Sequence, residues 1–442
     1  MNNSIGEKNK ILFPWKVVLT SSSLRDWLSN VQHVDSLKKI GNLYFSTVAG
    51  VLLGILISVL NTRSLSPALY GDVKYVTNII SFVSGFLLLG YFVSGSRLIA
   101  IEKDEFQIRK LKGALIIILG VTVILMISVM GFLFVWNYFQ GNGAMAILFM
   151  AALPFCASPL LLNYVNTVAP GDNRINSIAI TRLCPAALYL VVAFFIFKTW
   201  GATPVRMLMV FLGTTTLVIV PVLIWERPCF NDFWRSFKII HAENRKYGIH
   251  VYIGSICGVS LGYLSGITLG WFGTNNTEVG LFSLALALSG PLSMLPSIVG
   301  TVFFRRFALA EYIGCKVISS TIWITVASLS VFITLIHPIV LILYSKPYAV
   351  VSSYAAWLAI GACLNGVGDM FNRFLGAHGH GRELRNGAIV CGLILLIGNI
   401  VGVYWFGIVG AIHTRNLAYF AYCAIMIGYY RKYTQKQKIQ AF

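Results

Sequence analysis

Arg63-Ser-Leu-Ser-Pro-Ala-Leu-Tyr-Gly-Asp-Val-Lys74 is a polar, turn-forming stretch set between two apolar runs, residues 43–61 and 75–100. Pro67 and Gly71 stop one helix and start another. Each flanking run is long enough to cross a bilayer, which takes about 20 apolar residues. Residues 42–112 therefore read as a membrane hairpin followed by a charged loop, and this unit sets the pattern for the chain.

Ten further apolar runs follow, at residues 114–136, 144–168, 175–197, 207–224, 249–272, 279–304, 317–344, 351–371, 386–404 and 407–429. Composition agrees: 57% of the 442 residues are hydrophobic, 11% are charged, and the mean hydropathy is +0.77. The fold class expected is an all-α polytopic membrane protein with twelve transmembrane helices. Eight scattered cysteines contain no Cys-x-x-Cys pair, and most sit in apolar runs as small hydrophobes, so neither a disulfide framework nor a zinc site is indicated.

The excess of 34 Lys+Arg over 15 Asp+Glu is explained by topology rather than by nucleic acid, because no basic segment is long enough to form a separate domain. Twelve helices put both termini on one side. That side collects 27 of the 34 basic residues; Arg63, Lys74, Lys198, Arg206 and Lys346 fall on the other, and Arg182 and Arg415 lie within helices. Basic residues favour the cytoplasm, so both termini are expected there. The first 40 residues lack a convincing signal-peptide pattern; Trp15 and Trp27 with Lys16 and Arg25 suit either an interfacial segment or a tail.

The longest internal connection, residues 225–246, divides the chain into six helices plus six. Phe230, Phe233, Trp234 and Phe237 recur at helical spacing between charges, as in an amphipathic surface helix. The expected layout is a tail at 1–40, an N-lobe at 41–225, a linker at 226–248, a C-lobe at 249–430 and a tail at 431–442. A weak internal repeat supports two lobes: Pro67-Ala-Leu-Tyr-Gly71 opens helix two, and Asn276-Thr-Glu-Val-Gly280 opens helix eight. Transporters are often built from such repeats, with the substrate path between them.

Arg63-x-Leu-x-Pro-x-x-Tyr-Gly71 after a first membrane helix resembles the end of that helix in bacterial polysaccharide and O-antigen flippases. These belong to the multidrug/oligosaccharidyl-lipid/polysaccharide exporter superfamily. Family members often carry Gly-Pro-Glu where this chain has Ser66-Pro67-Ala68. The resemblance implies two six-helix lobes around a central cavity, alternating access, and an undecaprenyl-pyrophosphate-linked oligosaccharide as substrate in the bacterial inner membrane. It also implies a polysaccharide polymerase and a chain-length regulator as partners.

Charges inside membrane helices are costly and mark cavities or partners. Arg182, followed by Pro185, lies about two turns into helix five, and Arg415 about two turns into helix twelve. Each suits either a cavity or a bond to the carbonyls of a broken helix. Arg63, Lys74 and Arg97 at the ends of the first hairpin either anchor at headgroups or grip phosphate oxygens, which Arg binds bidentately. Asp369 and Arg373 either form an i,i+4 ion pair on one helix face or take part in proton or Na+ coupling. Arg63, Lys74, Arg97, Arg182, Arg373 and Arg415 are thus the candidate substrate contacts, and Asp369 the candidate coupling carboxylate. In helix seven, Gly254, Gly258, Gly262, Gly266 and Gly270 recur every fourth residue and make one smooth packing face.

No enzyme motif or cofactor site emerges. Gly258-Val-Ser260-Leu-Gly262 matches a nucleophile-elbow string but lies within a helix rather than at a strand-to-helix turn. His378-Gly-His380 is a poor metal site in a glycine-flanked turn, and no P-loop is present. Two rivals stand beside the flippase. A drug exporter shares the fold, although such exporters carry a carboxylate in helix one and residues 43–61 have none. A membrane polymerase resembles its relatives in having a large external loop, and every external connection here is short.

Overall fold

A computed structural model describes residues 31–440, and every regular element among them is a helix. The proposed interfacial segment around Trp15 and Trp27 lies outside the described residues. The first half comprises α1 (Val31–Ser64), α2 (Pro67–Leu87), α3 (Tyr91–Ile101), α4 (Glu105–Phe139), α5 (Gly143–Ala152), α6 (Ser158–Val168), α7 (Ile175–Trp200) and α8 (Pro204–Trp225). After α9 (Phe233–Glu243) come α10 (Ile249–Gly258), α11 (Leu264–Phe272), α12 (Thr277–Ser289), α13 (Met294–Val302), α14 (Phe304–Leu309), α15 (Cys315–Leu343), α16 (Val351–Ala377) and α17 (Gly381–Gln440).

Several of these helices are fragments of one span, and each break has a local cause. α2 and α3 meet at a 56° bend. There Gly90 has φ +78°, a left-handed conformation that glycine adopts without strain. α5 and α6 part around Pro154, which has no N–H to donate. α10 and α11 are joined by a 3-10 turn, Ser260–Tyr263. α17 runs 60 residues, about 90 Å at helical rise, far more than one bilayer. Its backbone leaves the helix at Gly407 (φ 54°, ψ −134°), where the eleventh expected span gives way to the twelfth. Length and apolarity alone pick nine spanning helices among the described residues, or ten when the bent α2–α3 pair is one span. The broken α5–α6 segment and the division of α17 at Gly407 supply the remaining two of the expected twelve.

Helix starts follow from capping. Ser66 caps α2 with Pro67 in its first turn, Asp104 caps α4 through Phe106 N at 2.9 Å, and Thr203 caps α8 through Arg206 N at 3.2 Å. The Asp104 cap moves the third helix's start from residue 114 to Glu105. Arg109, Lys110 and Lys112, read from sequence as loop, are helical. Apolarity marks where a helix enters lipid, whereas the cap marks where its hydrogen bonding begins.

The connections sort onto two faces. Cys229 N donates to Arg109 O at 2.9 Å, and Lys110 pairs with Asp232 at 2.6 Å, so the connections after α3 and α8 meet. In the second half, Tyr430 receives Ile313 N at 3.0 Å, and the His378 and Tyr433 rings lie 4.9 Å apart. This is the basic face. On the opposite face, Tyr348 OH donates to Leu65 O at 3.1 Å, and Asn276 Nδ2 to Asp72 Oδ1 at 2.8 Å.

The halves meet along α2, which packs on α12 and α11. The two repeat motifs cross face to face. A Cβ on Gly71 would lie 1.7 Å from Asn276 O, and one on Gly280 would lie 2.5 Å from Pro67 O. Only glycine permits backbones so close at these two positions. The expected smooth face of helix seven is only half continuous. Gly266 and Gly270 meet Asn78 and Tyr75 of α2, but Gly254 and Gly258 face open space. The 3-10 turn between them breaks the four-residue register.

Candidate functional site

Arg182 projects from α7 and is exposed. Its Nη1 donates to Thr47 Oγ1 of α1 at 2.6 Å, and its Cγ lies 3.5 Å from where a Cβ on Gly50 would stand. The arginine stem therefore lies along α1 at ordinary van der Waals distance from Gly50. A cavity of about 220 Å³ opens beside it, lined by Asn166, Thr181, Tyr189, Thr214 and Thr215 among others. Tyr189 OH is held by Asn61 Oδ1 at 2.5 Å. The result is a guanidinium bonded to one hydroxyl beside a cavity of mixed polar and apolar lining, with no ion pair among the described residues.

Arg415 differs. It is 4% exposed, and Nη2 donates to Gly262 O at 2.7 Å. Gly262 sits in the 3-10 turn that breaks helix seven, so its carbonyl is free to accept. The guanidinium carbon lies 5.8 Å from the ring centres of both Phe282 and Tyr419, within cation–π range. Nε has no hydrogen-bond partner among the described residues.

The remaining candidates are dispersed. Arg63 donates Nε to Leu343 O at 2.8 Å and Nη2 to Ile342 O at 2.9 Å, capping the C-terminus of α15 on the face opposite the basic one. Lys74 is half-buried, with Nζ 5.3 Å from the Tyr70 ring centre. Arg97 pairs with Glu243 of α9 at 2.6 Å and covers the Tyr247 ring at 5.0 Å. Arg373 Nε meets Asp369 Oδ2 at 2.9 Å, the i,i+4 pair. Ser297 of α13 donates to the same Asp369 oxygen, and Arg373 Nη2 reaches Ser297 Oγ at 3.3 Å. Of the seven candidates, Asp369 and Arg373 alone contact each other among the described residues.

A second polar centre went unread in the sequence. At the basic face of the first half, Lys112 is 2% exposed and pairs with Asp172, which also takes Arg174 Nε at 2.6 Å. Glu226, at the end of α8, is 2% exposed and accepts from Tyr164 OH at 3.2 Å. Burial raises the Glu226 carboxyl above its ordinary value, against the lowering pull of Lys112. A cavity of about 710 Å³ adjoins the group. The available signal was Lys112 itself, flanked by Leu111 and by Ala114-Leu115, a charge placed on an apolar helix turn.

Comparison with known proteins bears on this architecture. The family model described as "Polysaccharide biosynthesis protein" matches residues 36–311, well over half of the chain, and the chain belongs to that family. No curated protein matches it. Among solved structures it is similar to the lipid II flippase MurJ in an inward closed conformation, with TM-score 0.65 and 13% identity over 90% of each chain. It is similarly close to an inward-facing multidrug resistance MATE family transporter, with TM-score 0.65 and 15% identity, covering 89% of this chain and 96% of that one. The Vibrio cholerae MATE transporter VcmN in its bent form gives TM-score 0.52 and 12% identity over 91% and 98%. At such identities the likeness establishes the fold. Family and fold together bear out the resemblance to the exporter superfamily and the multi-pass membrane assignment.

Proposed function

We propose that the protein is a flippase that carries an undecaprenyl-pyrophosphate-linked oligosaccharide across the bacterial inner membrane by alternating access, for O-antigen or another surface polysaccharide. Both termini then face the cytoplasm, and the basic face is the cytoplasmic one. Membership of the polysaccharide biosynthesis family supports this reading, as does the likeness to a lipid II flippase. The observation that carries it is Arg182: a guanidinium inside a membrane span, exposed, and engaged only by the Thr47 hydroxyl in its described hydrogen bonds. An anionic ligand is the partner such a group lacks, and two phosphate oxygens match its fork. Lys74, Arg97 and Arg373 lie apart from the Arg182 cavity, the latter two paired with Glu243 and Asp369, and Asp369 would be the coupling carboxylate. In this reading Arg63 and Arg415 serve the framework, because backbone carbonyls already occupy them. The chain acts as a transporter rather than an enzyme, and a polymerase and chain-length regulator would take up its product.

A drug exporter is favoured by one observation, the fold shared with MATE transporters. Deletion separates the two. Loss of surface polymer with lipid-linked units retained inside supports the flippase. Unchanged polymer with raised sensitivity to cationic drugs rejects it.

A further inference from the structure

The buried centre at the end of α8 has a chemistry distinct from the Arg182 site. Glu226 follows the last residue of α8, at the negative end of the helix dipole, where a carboxylate is disfavoured. It is almost wholly removed from solvent, which also disfavours the anion. The groups around it come from several elements. α4 supplies Glu105, Arg109 and Lys112; α6 supplies Tyr164; the turn before α7 supplies Asp172 and Arg174; and Arg227 is adjacent. The nearby cations, Lys112 foremost and then Arg174, favour an ionised Glu226 only through space, because their direct contacts go elsewhere. Lys112 and Arg174 both bind Asp172, and Arg109 Nε donates to Arg227 O at 2.8 Å. Among the described residues Glu226 makes no ion pair, and its one side-chain hydrogen bond is from the Tyr164 hydroxyl. Asp369 is the contrasting case, with Arg373, Ser297 and Asn372 all turned on its oxygens.

A route for exchange exists, since the cavity of about 710 Å³ is lined by Glu226 itself along with Lys112, Asp172 and Arg227. We propose that Glu226 is a proton-binding site of this protein, loaded and unloaded through that cavity on the basic face. The proton comes from solvent in the cavity and adds to a carboxylate oxygen, so the group alternates between anion and neutral acid. Tyr164 donates to the anion and releases that bond when the acid forms. The Tyr164 ring stands edge-on to Phe92 of α3, with centres 5.5 Å apart, so the site touches the bent helix pair whose α2 member meets the second half. The inference holds whatever the substrate.

The test uses the purified full-length chain in liposomes and infrared difference spectra recorded across a pH titration, which read protonated carboxyl groups directly. One carboxyl band is expected to titrate above the ordinary Glu range, about pH 4.3. It should vanish in Glu226→Gln and persist in Asp369→Asn. Tyr164→Phe removes the donor to the anion and should bind the proton about tenfold more tightly, moving the midpoint upward. A Glu226→Gln spectrum identical to the parent's, or a Glu226 midpoint in the ordinary range, would overturn the proposal. Because no substrate is present, these outcomes are independent of the flippase reading.

Discussion

Arg182 and Arg415 look alike in the sequence, each about two turns into a long apolar helix, and the structure gives them opposite surroundings. In the first half, Arg182 stands exposed beside α1, held by one hydroxyl and bordered by a cavity. In the second half, Arg415 is enclosed between two aromatic rings and bonded to the carbonyl that a helix break has freed. A charge in a membrane helix therefore has two stable solutions, and the deciding feature lies on a neighbouring helix. For Arg182 it is Thr47 of α1, which supplies a hydroxyl and no charge; for Arg415 it is the turn at Ser260–Tyr263.

The largest effect is expected from Arg415→Ala. It would leave Gly262 O unpaired and open a cavity between Phe282 and Tyr419, costing about 3 kcal/mol. Thermal unfolding of the purified protein and the amount inserted in the membrane should both fall, with Arg415→Lys recovering part. Normal folding combined with lost export would erase the contrast and return Arg415 to the transport path.

Arg182→Ala should insert normally yet lose surface polymer by about tenfold or more per inserted molecule, the scale of one charge-assisted pair. Lys at this position keeps the charge without the fork and should retain a fraction of export. Undiminished export by the Ala variant would remove the anion contact from the reading.

Glu226 sharpens the comparison because it is as buried as Arg415 yet borders a cavity of about 710 Å³. Its folded-state carboxyl is raised, chiefly by burial, so between the unfolded value and the raised one the native state binds more protons than the unfolded chain. Native stability should then rise as pH falls through the native midpoint, reaching its full gain near the unfolded value. Glu226→Gln should abolish that slope and be the more stable protein at alkaline pH, as melting temperatures across pH would record. A slope that survives the substitution would assign it to another group.

Thr47→Val is the mildest test. Removing one hydroxyl costs Arg182 a neutral partner, about 1 kcal/mol, and leaves insertion intact. Export should fall by less than in Arg182→Ala; an equal loss would mean that Thr47 itself contacts the substrate.

The twelve apolar runs were legible because lipid demands length and hydrophobicity, and both are written in consecutive residues. The breaks were less legible. Gly90, Pro154 and Gly407 carry a local signal, but at Ser260–Tyr263 the one glycine, Gly262, reads as part of a regular four-residue series, and its carbonyl is answered by Arg415, 153 residues away. The Asp369–Arg373 pair could be read from i,i+4 spacing. The Lys112–Asp172 and Tyr164–Glu226 contacts could not, since they join residues about 60 apart through packing alone. Arg63 was legible as a charge at a helix end, but its role as a cap requires knowing that α15 ends beside it.

The crossing of Pro67–Gly71 with Asn276–Gly280 is reciprocal: in each motif the glycine faces the carbonyl of the residue that opens the other. This is the contact that two identical subunits make across a two-fold axis, where patch meets equivalent patch. Each half thus presents the corresponding five-residue patch to the other, and a side chain added at either glycine would force the two backbones apart. The two arginines have no such equivalence, since Arg182 lies in the fifth span and Arg415 in the twelfth; the symmetry rests on a pair of glycines that neither half can replace alone.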